Sequence, residues 1–196
     1  MDINVAGHGL VDLSVACPGI RVDMRYAGER NFFKAKLYDD DRAWLLEASA
    51  RKLARAAENA AGRGYALVVL DAYRPLSVQD LMWRILPDPA FVAPSSRGSI
   101  HNRGAAVDVA LLYPDGRELP MPSEFDEFSE RASHLYTGAE PERLRARDIL
   151  RACMEEAGFS AYEAEWWHYV DPDTRSYPLL DIPLSCLKAG EGALHV

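Results

Sequence analysis

Two pairs of metal-binding side chains constrain this chain more than any other feature of its sequence. His101 and Asp108 stand seven positions apart, and Glu165 and His168 stand three apart. Proteins build catalytic zinc sites from such side chains, with three protein ligands, one position open to water and a carboxylate base nearby. Because zinc binds neutral imidazole nitrogen and ionised carboxylate oxygen, we expect His101, Asp108 and His168 to be the ligands of one zinc ion per chain. Glu165 would remain free to accept a proton from the water.

The spacing of His101 and Asp108 restricts the backbone between them. In a straight strand their side chains would point to opposite faces and lie about 23 Å apart, at about 3.3 Å per residue. They can share a metal only if the chain folds back, and Gly104 tolerates the backbone angles of a sharp turn. Residues 105–112 are almost entirely apolar and predict a buried strand. We therefore place His101 before the turn and Asp108 on the strand.

The second pair needs a bend as well. Residues three apart share a face of a helix, but residues 166–170 are rich in aromatic and β-branched side chains, which favours a strand. We predict that Glu165 lies just before this strand, in a bend that directs its carboxylate toward the metal. Each motif taken alone has an ordinary alternative. A His–Asp pair at this spacing arises often by chance, and most histidines are simply hydrogen-bonded polar residues.

Further residues around the two pairs complete a longer pattern. Its members are Ser99, His101, Gly104, Ala106 and Asp108, followed by Glu165, Trp167 and His168. This pattern resembles the zinc signature of the D-alanyl-D-alanine dipeptidases, relatives of the D,D-carboxypeptidases that share a fold with the hedgehog signalling domain. The resemblance extends from about residue 26 to about residue 183. It implies zinc-dependent hydrolysis of a small dipeptide, D-Ala-D-Ala, with Glu165 as the general base.

Arg74 follows a continuous apolar run over residues 65–70 that predicts a strand buried on both faces. An arginine at such a place needs an anionic partner or water. One interpretation is a salt bridge with Asp71 or another nearby carboxylate. The other is stabilisation of the negative oxygen that forms during hydrolysis. The segment around Arg74 resembles that of the family, which implies the second role.

The resemblance also bears on substrate binding. Tyr26 lies in a segment similar to the family's substrate-covering segment, although an ordinary loop packed on the core is the alternative. Asp126, with the phenylalanine before it, matches a family segment whose aspartate helps to hold the dipeptide's amino group. Pro122 and Ser123 stand where Gly and Thr are usual, so the shape of that subsite is open. Ser99 is expected to bind the carboxylate of the dipeptide.

Composition limits the other functions. The 196 residues are 48% hydrophobic, which suits one domain over residues 1–196. A net charge of −8 makes nucleic acid and anionic membranes poor candidates as partners. Three cysteines without metal-binding spacing indicate a reducing compartment. The first residues show no basic region followed by an apolar run, so we expect no signal peptide, no membrane span and a cytoplasmic location.

Residues 41–61 and 141–157 are rich in good helix formers and predict two long helices. Ser77 and Asp80 have the spacing of a capping box, which would start a short third helix. The charged segment around His134 is expected to be solvated. We predict a single-domain α+β fold in which an antiparallel sheet carries the zinc site and the helices pack against it.

Two other classes of function remain open. A D,D-carboxypeptidase or endopeptidase would use the same zinc but accept longer peptides. A non-enzymatic zinc-binding module, as among hedgehog-type relatives, would need neither Glu165 as a base nor Arg74 as a donor to a negative oxygen, so the presence of both argues against it. The sequence makes no prediction of the oligomeric state.

Overall fold

The computed structural model describes residues 9–89, 91–174 and 176–188. Its strands, in chain order, are β1 Leu10–Asp12, β2 Arg21–Val22, β3 Trp44–Leu46, β4 Ala66–Asp71, β5 Ala106–Leu112, β6 Ser160–Ala161 and β7 His168–Val170. Its α-helices are α1 Leu13–Ala16, α2 Glu47–Gly62, α3 Leu76–Ile85 and α4 Pro141–Glu156. The protein therefore has the single-domain α+β fold predicted from its sequence.

Five strands form the central sheet in the order β2-β4-β5-β7-β6. β4 and β5 are its longest strands and are buried almost throughout, because their sequences are apolar on both faces. The pairs β4–β5, β5–β7 and β6–β7 are antiparallel, whereas β2 runs parallel to β4. The prediction of an antiparallel sheet is confirmed for the strands that carry the two motifs, and the short edge strand β2 departs from it.

The helices α2 and α4 pack on each other, and both contact the sheet. The helix predicted at 141–157 is confirmed, with Pro141 in the first turn, where its missing N–H costs nothing. The helix predicted at 41–61 begins later, at Glu47, because Trp44–Leu46 pairs with β1 as an antiparallel strand. Pairing with a distant strand has overridden the local helix propensity of this segment.

The predicted capping box at Ser77 and Asp80 is wrong. α3 begins one residue earlier, at Leu76, and has no side-chain cap. The Ser77 backbone N–H donates instead to Asp181 at 2.8 Å, and the Asp80 carboxylate pairs with Arg84 on the next turn. The helix start is therefore held by a distant segment of the chain.

The prediction of a solvated segment around His134 is also wrong for the histidine itself. Its side chain is buried, and its backbone N–H donates to the Glu163 carbonyl at 2.9 Å. The nearby Ala132 carbonyl accepts from the Trp166 backbone N–H at 2.8 Å. These bonds fold the segment onto the residues that precede β7.

Among the helices of the described residues, none combines the length and the apolar character needed to cross a bilayer. The expectation about a signal peptide concerns residues 1–8, which lie outside the described ranges. Cys17, Cys153 and Cys186 are free thiols, the first two buried and the third exposed.

Candidate metal centre and active site

Side chains from both sequence motifs converge at the central sheet. His101 Nε2, His168 Nδ1 and Asp108 Oδ1 form a triangle, with 3.1 Å between the imidazoles and 3.3 Å and 2.9 Å from them to the carboxylate. Tetrahedral ligands at the usual zinc bond lengths lie about 3.3–3.4 Å from one another. The triangle therefore has nearly the size of one face of a zinc coordination shell. These three side chains form a group that can hold a metal ion, and two imidazoles with one carboxylate suit zinc.

Strand register places two of the three side chains. Asp108 on β5 lies directly opposite His168 on β7 in the antiparallel pair. Directly opposed residues point to the same face of a sheet, with Cβ atoms about 4.5–5.5 Å apart. The pairing of β5 with β7 therefore brings the carboxylate to the imidazole.

The third side chain, His101, reaches the site through a turn. It lies on the short 3-10 helix Ile100–Arg103, where the Ser99 hydroxyl accepts the His101 backbone N–H at 3.3 Å and the Asn102 side-chain oxygen accepts the Ser99 N–H at 2.6 Å. Gly104 ends this helix with φ of 65°, in the left-handed region that glycine adopts without strain. The predicted reversal between His101 and the following strand is confirmed.

The charges around His101 suit a cation. Its Nδ1 donates to the Ala72 carbonyl at 2.7 Å, which leaves the lone pair of Nε2 facing the other two donor atoms. Burial opposes a positive charge on His101, but the carboxylates of Asp108 and Asp71 outweigh burial and raise its pKa. Burial likewise opposes a negative charge on Asp108, yet His101 and His168 hold its pKa well below the usual range. A metal ion could take the place of the protons that these groups otherwise share.

Glu165 lies in the turn that leads into β7. Its N–H donates to the Tyr162 carbonyl at 3.1 Å, and its own carbonyl accepts from the His168 N–H at 3.3 Å. This is the bend before the strand that the sequence predicts. Burial raises the pKa of the Glu165 carboxyl to about 7, although His168 acts in the opposite direction. A carboxyl with a pKa near neutrality can both accept and release a proton at physiological pH.

The salt-bridge interpretation of Arg74 is confirmed, and its role toward a negative oxygen stays a prediction. Its Nε and Nη2 donate to Asp71 Oδ2 at 3.2 Å and 2.6 Å, and its Nη1 donates to Gln79 Oε1 at 2.8 Å. The guanidinium also lies over the Tyr26 ring, 5.2 Å from its centre. Arg74 is thus salt-bridged and still lines the cavity in front of the metal-binding group.

Asp126 is a second carboxylic acid, besides Glu165, that lines the cavity in front of the metal-binding group. Its carboxylate accepts the Tyr26 hydroxyl at 2.9 Å and is almost completely buried. Burial, and then the nearby charge of Asp108, raise its pKa from an ordinary value of 3.8 to about 7. Its backbone has φ of 60°, a conformation that aspartate and asparagine tolerate better than most residues. Keeping a charge here is costly, and an ammonium group would offset that cost.

A cavity of about 800 Å³ connects these groups. All eight residues singled out in the sequence contribute to its lining: Tyr26, Arg74, Ser99, His101, Asp108, Asp126, Glu165 and His168. Apolar side chains also line it, among them Phe33, Met82, Phe91, Val92 and Phe128. The cavity therefore combines a polar, titratable surface with a hydrophobic one, as sites for small organic ligands usually do.

Comparison with known proteins assigns the chain to a family. Residues 6–187 match the model of a peptidase family described as D-ala-D-ala dipeptidase. The chain belongs to this family. It is similar to the D-alanyl-D-alanine dipeptidase of Escherichia coli (strain K12), with 36% identity over 95% of this chain and 96% of the relative. The protein of that name from Enterococcus faecium is 34% identical over 90% of this chain and 98% of the relative.

Sequence reasoning missed two residues in the site of this peptidase-family member. The Tyr38 hydroxyl donates to Asp71 Oδ1 at 2.5 Å, and Gln79 contacts Arg74 from α3. Neither has a spacing relation to the metal-binding motifs, because the fold brings them together from separate elements. The one available signal was the helical spacing that puts Gln79 on the same face as the apolar Leu76 and Met82.

Proposed function

We propose that the protein is a zinc-dependent dipeptidase that hydrolyses D-Ala-D-Ala to two D-alanines. The observation that carries the proposal is one cavity containing a zinc-sized donor triangle, Glu165, Arg74 and the buried carboxylate of Asp126. The substrate is suggested by the similar proteins, which carry the name D-alanyl-D-alanine dipeptidase. The cytoplasmic location stays a prediction from the sequence.

His101, Asp108 and His168 would hold the zinc, through the atoms that form the triangle. When bound, zinc supplies a Lewis acid that activates water and polarises the scissile carbonyl. Glu165 accepts the proton of the attacking water and passes it to the leaving amine. Arg74 donates hydrogen bonds to the oxygen that becomes negative as the carbonyl carbon turns tetrahedral. Loss of one such donor typically raises the barrier by about 2.7–4 kcal/mol.

Recognition of a short substrate needs contacts at both of its ends. Asp126 pairs with the free ammonium group, with the Tyr26 hydroxyl holding the carboxylate in place. The Ser99 hydroxyl already accepts a backbone N–H, so its own proton remains available to a substrate carboxylate. A peptide with a blocked amino group would leave the buried Asp126 carboxylate without a positively charged partner, which disfavours such a peptide.

A second candidate is a D,D-carboxypeptidase that acts on longer peptides. The volume of the cavity favours it, since about 800 Å³ is in the range of sites for ligands much larger than a dipeptide. Asp126 favours the dipeptidase, because an acylated substrate has no positive charge to pair with a carboxylate at this point. A purely structural metal module is disfavoured by the raised pKa of Glu165, which is typical of a general base.

The proposal is tested by an assay of amine release from D-Ala-D-Ala, with metal content measured on the same samples. We expect one zinc per chain, turnover that is lost with a chelator and recovered with added zinc, and loss of tight zinc binding in His101→Ala and His168→Ala. Turnover that persists in fully metal-free protein would reject zinc dependence. Full zinc occupancy in both variants would reject the ligand assignment.

A further inference from the structure

The Arg74 guanidinium uses some of its N–H donors inside the protein and keeps others for a ligand in the cavity. A guanidinium has five N–H donors. Three of them are used inside the protein, two by Asp71 Oδ2 and one by Gln79 Oε1. Within the described part of the chain, one N–H on each Nη atom makes no further hydrogen bond of ordinary geometry and is available to a ligand. The Arg74 backbone is fixed as well, since its N–H donates to the His101 carbonyl at 3.1 Å and its carbonyl accepts from Asn102 Nδ2 at 2.8 Å.

The two groups that hold Arg74 are themselves fixed. Asp71 has no exposed surface, and its Oδ1 accepts the Tyr38 hydroxyl at 2.5 Å and the Ala72 N–H at 2.9 Å. Gln79 is almost completely buried, and its Nε2 donates to the Ala93 carbonyl at 2.8 Å. Each acceptor is thus oriented by bonds of its own, from β4 on one side and from α3 on the other.

Asp71 and Gln79 together form a clamp on the Arg74 guanidinium. Without this clamp, Arg74 would have other partners in the cavity. Asp108, Asp126 and Glu165 all line it, and charge-assisted bonds between a guanidinium and a carboxylate are among the strongest that side chains form. A freely rotating Arg74 would pair with one of them, which would occupy either the ammonium subsite or the general base. Holding the guanidinium against Asp71 and Gln79 keeps these acids available.

We propose that Asp71 and Gln79 are positioning residues, which hold Arg74 in the one orientation that serves the negative oxygen of the reaction. The inference rests on the proposed hydrolysis. It assigns to Gln79, on a helix outside both sequence motifs, an effect on kcat through Arg74. A role in folding alone would change stability and leave turnover unaltered.

The test begins with Gln79→Leu and Asp71→Asn in the zinc-loaded protein. Loss of orientation should lower kcat by roughly tenfold to 100-fold with zinc content unchanged, since small displacements of a positioned group cost rates of this order. The loss should appear mainly in kcat, because the interaction acts in the transition state. KM should rise by less, to the extent that a displaced Arg74 pairs with Asp126. Gln79→Glu keeps an acceptor for Arg74 but loses the donor to the Ala93 carbonyl, so it should retain more of kcat than Gln79→Leu does.

The matched control is Tyr73→Phe, next to Arg74 in the chain. It removes a buried hydroxyl that donates to the Ile182 carbonyl and accepts the Ile182 N–H, and that makes no hydrogen bond to Asp71, Arg74 or Gln79. This variant should lose stability and keep kcat. If it lowers kcat as much as Gln79→Leu does, the clamp has no special role and the inference is overturned.

A double-mutant cycle decides whether the effect passes through Arg74. In an Arg74→Ala background, Gln79→Leu should cause no further loss of kcat. A full additional loss there, or normal kcat in Gln79→Leu alone, overturns the inference. If Asp71→Asn fails to fold or loses zinc, the Gln79 variants decide the result. An unmutated protein that releases no D-alanine overturns the proposed function itself, whereas active protein with an unaffected Gln79→Leu overturns only the clamp.

Discussion

At the scale of single residues, two carboxyl groups carry most of the functional argument. Glu165 and Asp126 lie in one cavity, and burial raises the pKa of each to about 7. An acid with such a pKa is costly to ionise, so neither residue is there for the stability of the free protein. Their proposed roles differ, since one moves a proton and the other binds a charge, and their variants should differ accordingly.

Glu165→Gln should retain zinc and lose most turnover. The amide has nearly the shape of the carboxyl but cannot accept the proton of the attacking water, and general-base catalysis typically contributes about 10²- to 10⁴-fold. The measurement is kcat for D-Ala-D-Ala with zinc content determined on the same preparation. Loss of the metal would make Glu165 a ligand, and near-normal kcat would end its assignment as the base.

Asp126→Asn should make the metal-free protein more stable at pH 8 while weakening its activity toward the dipeptide. Because the pKa of Asp126 is raised on folding, its contribution to stability is present at low pH and is lost as the pH rises through about 7. Removing the charge should therefore gain at least about 1 kcal/mol at pH 8, with one pKa unit worth about 1.4 kcal/mol. The gain should be smaller at pH 5 and should approach zero only below the ordinary aspartate pKa of 3.8.

Denaturant unfolding at the two pH values measures this effect. The control is Asp115→Asn, in an exposed turn where Arg117 pairs with the carboxylate and lowers its pKa. That variant should gain no stability at pH 8. Equal stability of Asp126→Asn and the unmutated protein at both pH values would contradict the account of a buried, costly charge.

At the scale of secondary-structure elements, the turn between His101 and β5 determines whether the metal-binding group can form. Gly104 has φ of 65°, and a Cβ added there would lie 2.7 Å from a methyl group of Leu10. Gly64 also has a positive φ, of 84°, but a Cβ there would meet nothing within 4 Å. An alanine at Gly64 therefore tests backbone strain alone, whereas an alanine at Gly104 tests strain together with a steric clash beside the turn.

Gly104→Ala and Gly64→Ala should each lose stability by about 1–2 kcal/mol, the cost of a left-handed conformation for a residue with a Cβ. Only Gly104→Ala should also bind zinc more weakly, because its added methyl group presses on the buried Leu10 side chain beside the turn that carries His101. Competition with a chromogenic chelator measures the affinity. Unchanged zinc affinity in Gly104→Ala would show that the turn geometry is not needed for the site.

The elements also show what the sequence could predict. The apolar run after Gly104 and the aromatic run after Glu165 predicted β5 and β7 because strand propensity and burial agree there. The segment 44–46 looked helical and became β3, because its partner β1 lies far away in the sequence. The clamp around Arg74 was invisible in part for the same reason, since Gln79 and Tyr38 reach it from separate elements.

At the scale of the whole molecule, the central sheet turns two distant motifs into one site. The register between β5 and β7 sets Asp108 against His168, and the register between β4 and β5 sets Asp71 opposite Asp108. The metal-binding group, Arg74 and Asp126 then line one cavity of about 800 Å³. A cavity of that volume could hold a dipeptide or a longer peptide, so the proposed function depends on the length of the substrate.

The most direct test compares kcat/KM of the zinc-loaded protein for D-Ala-D-Ala and for N-acetyl-D-Ala-D-Ala, with L-Ala-L-Ala as a stereochemical control. The account predicts that the free dipeptide reacts at least about tenfold faster than the acetylated one, equivalent to about 1.4 kcal/mol. Asp126→Asn should reduce this ratio by slowing the free dipeptide, with zinc content unchanged. Equal rates for the free and acetylated substrates in the unmutated protein would contradict the dipeptidase and favour the carboxypeptidase.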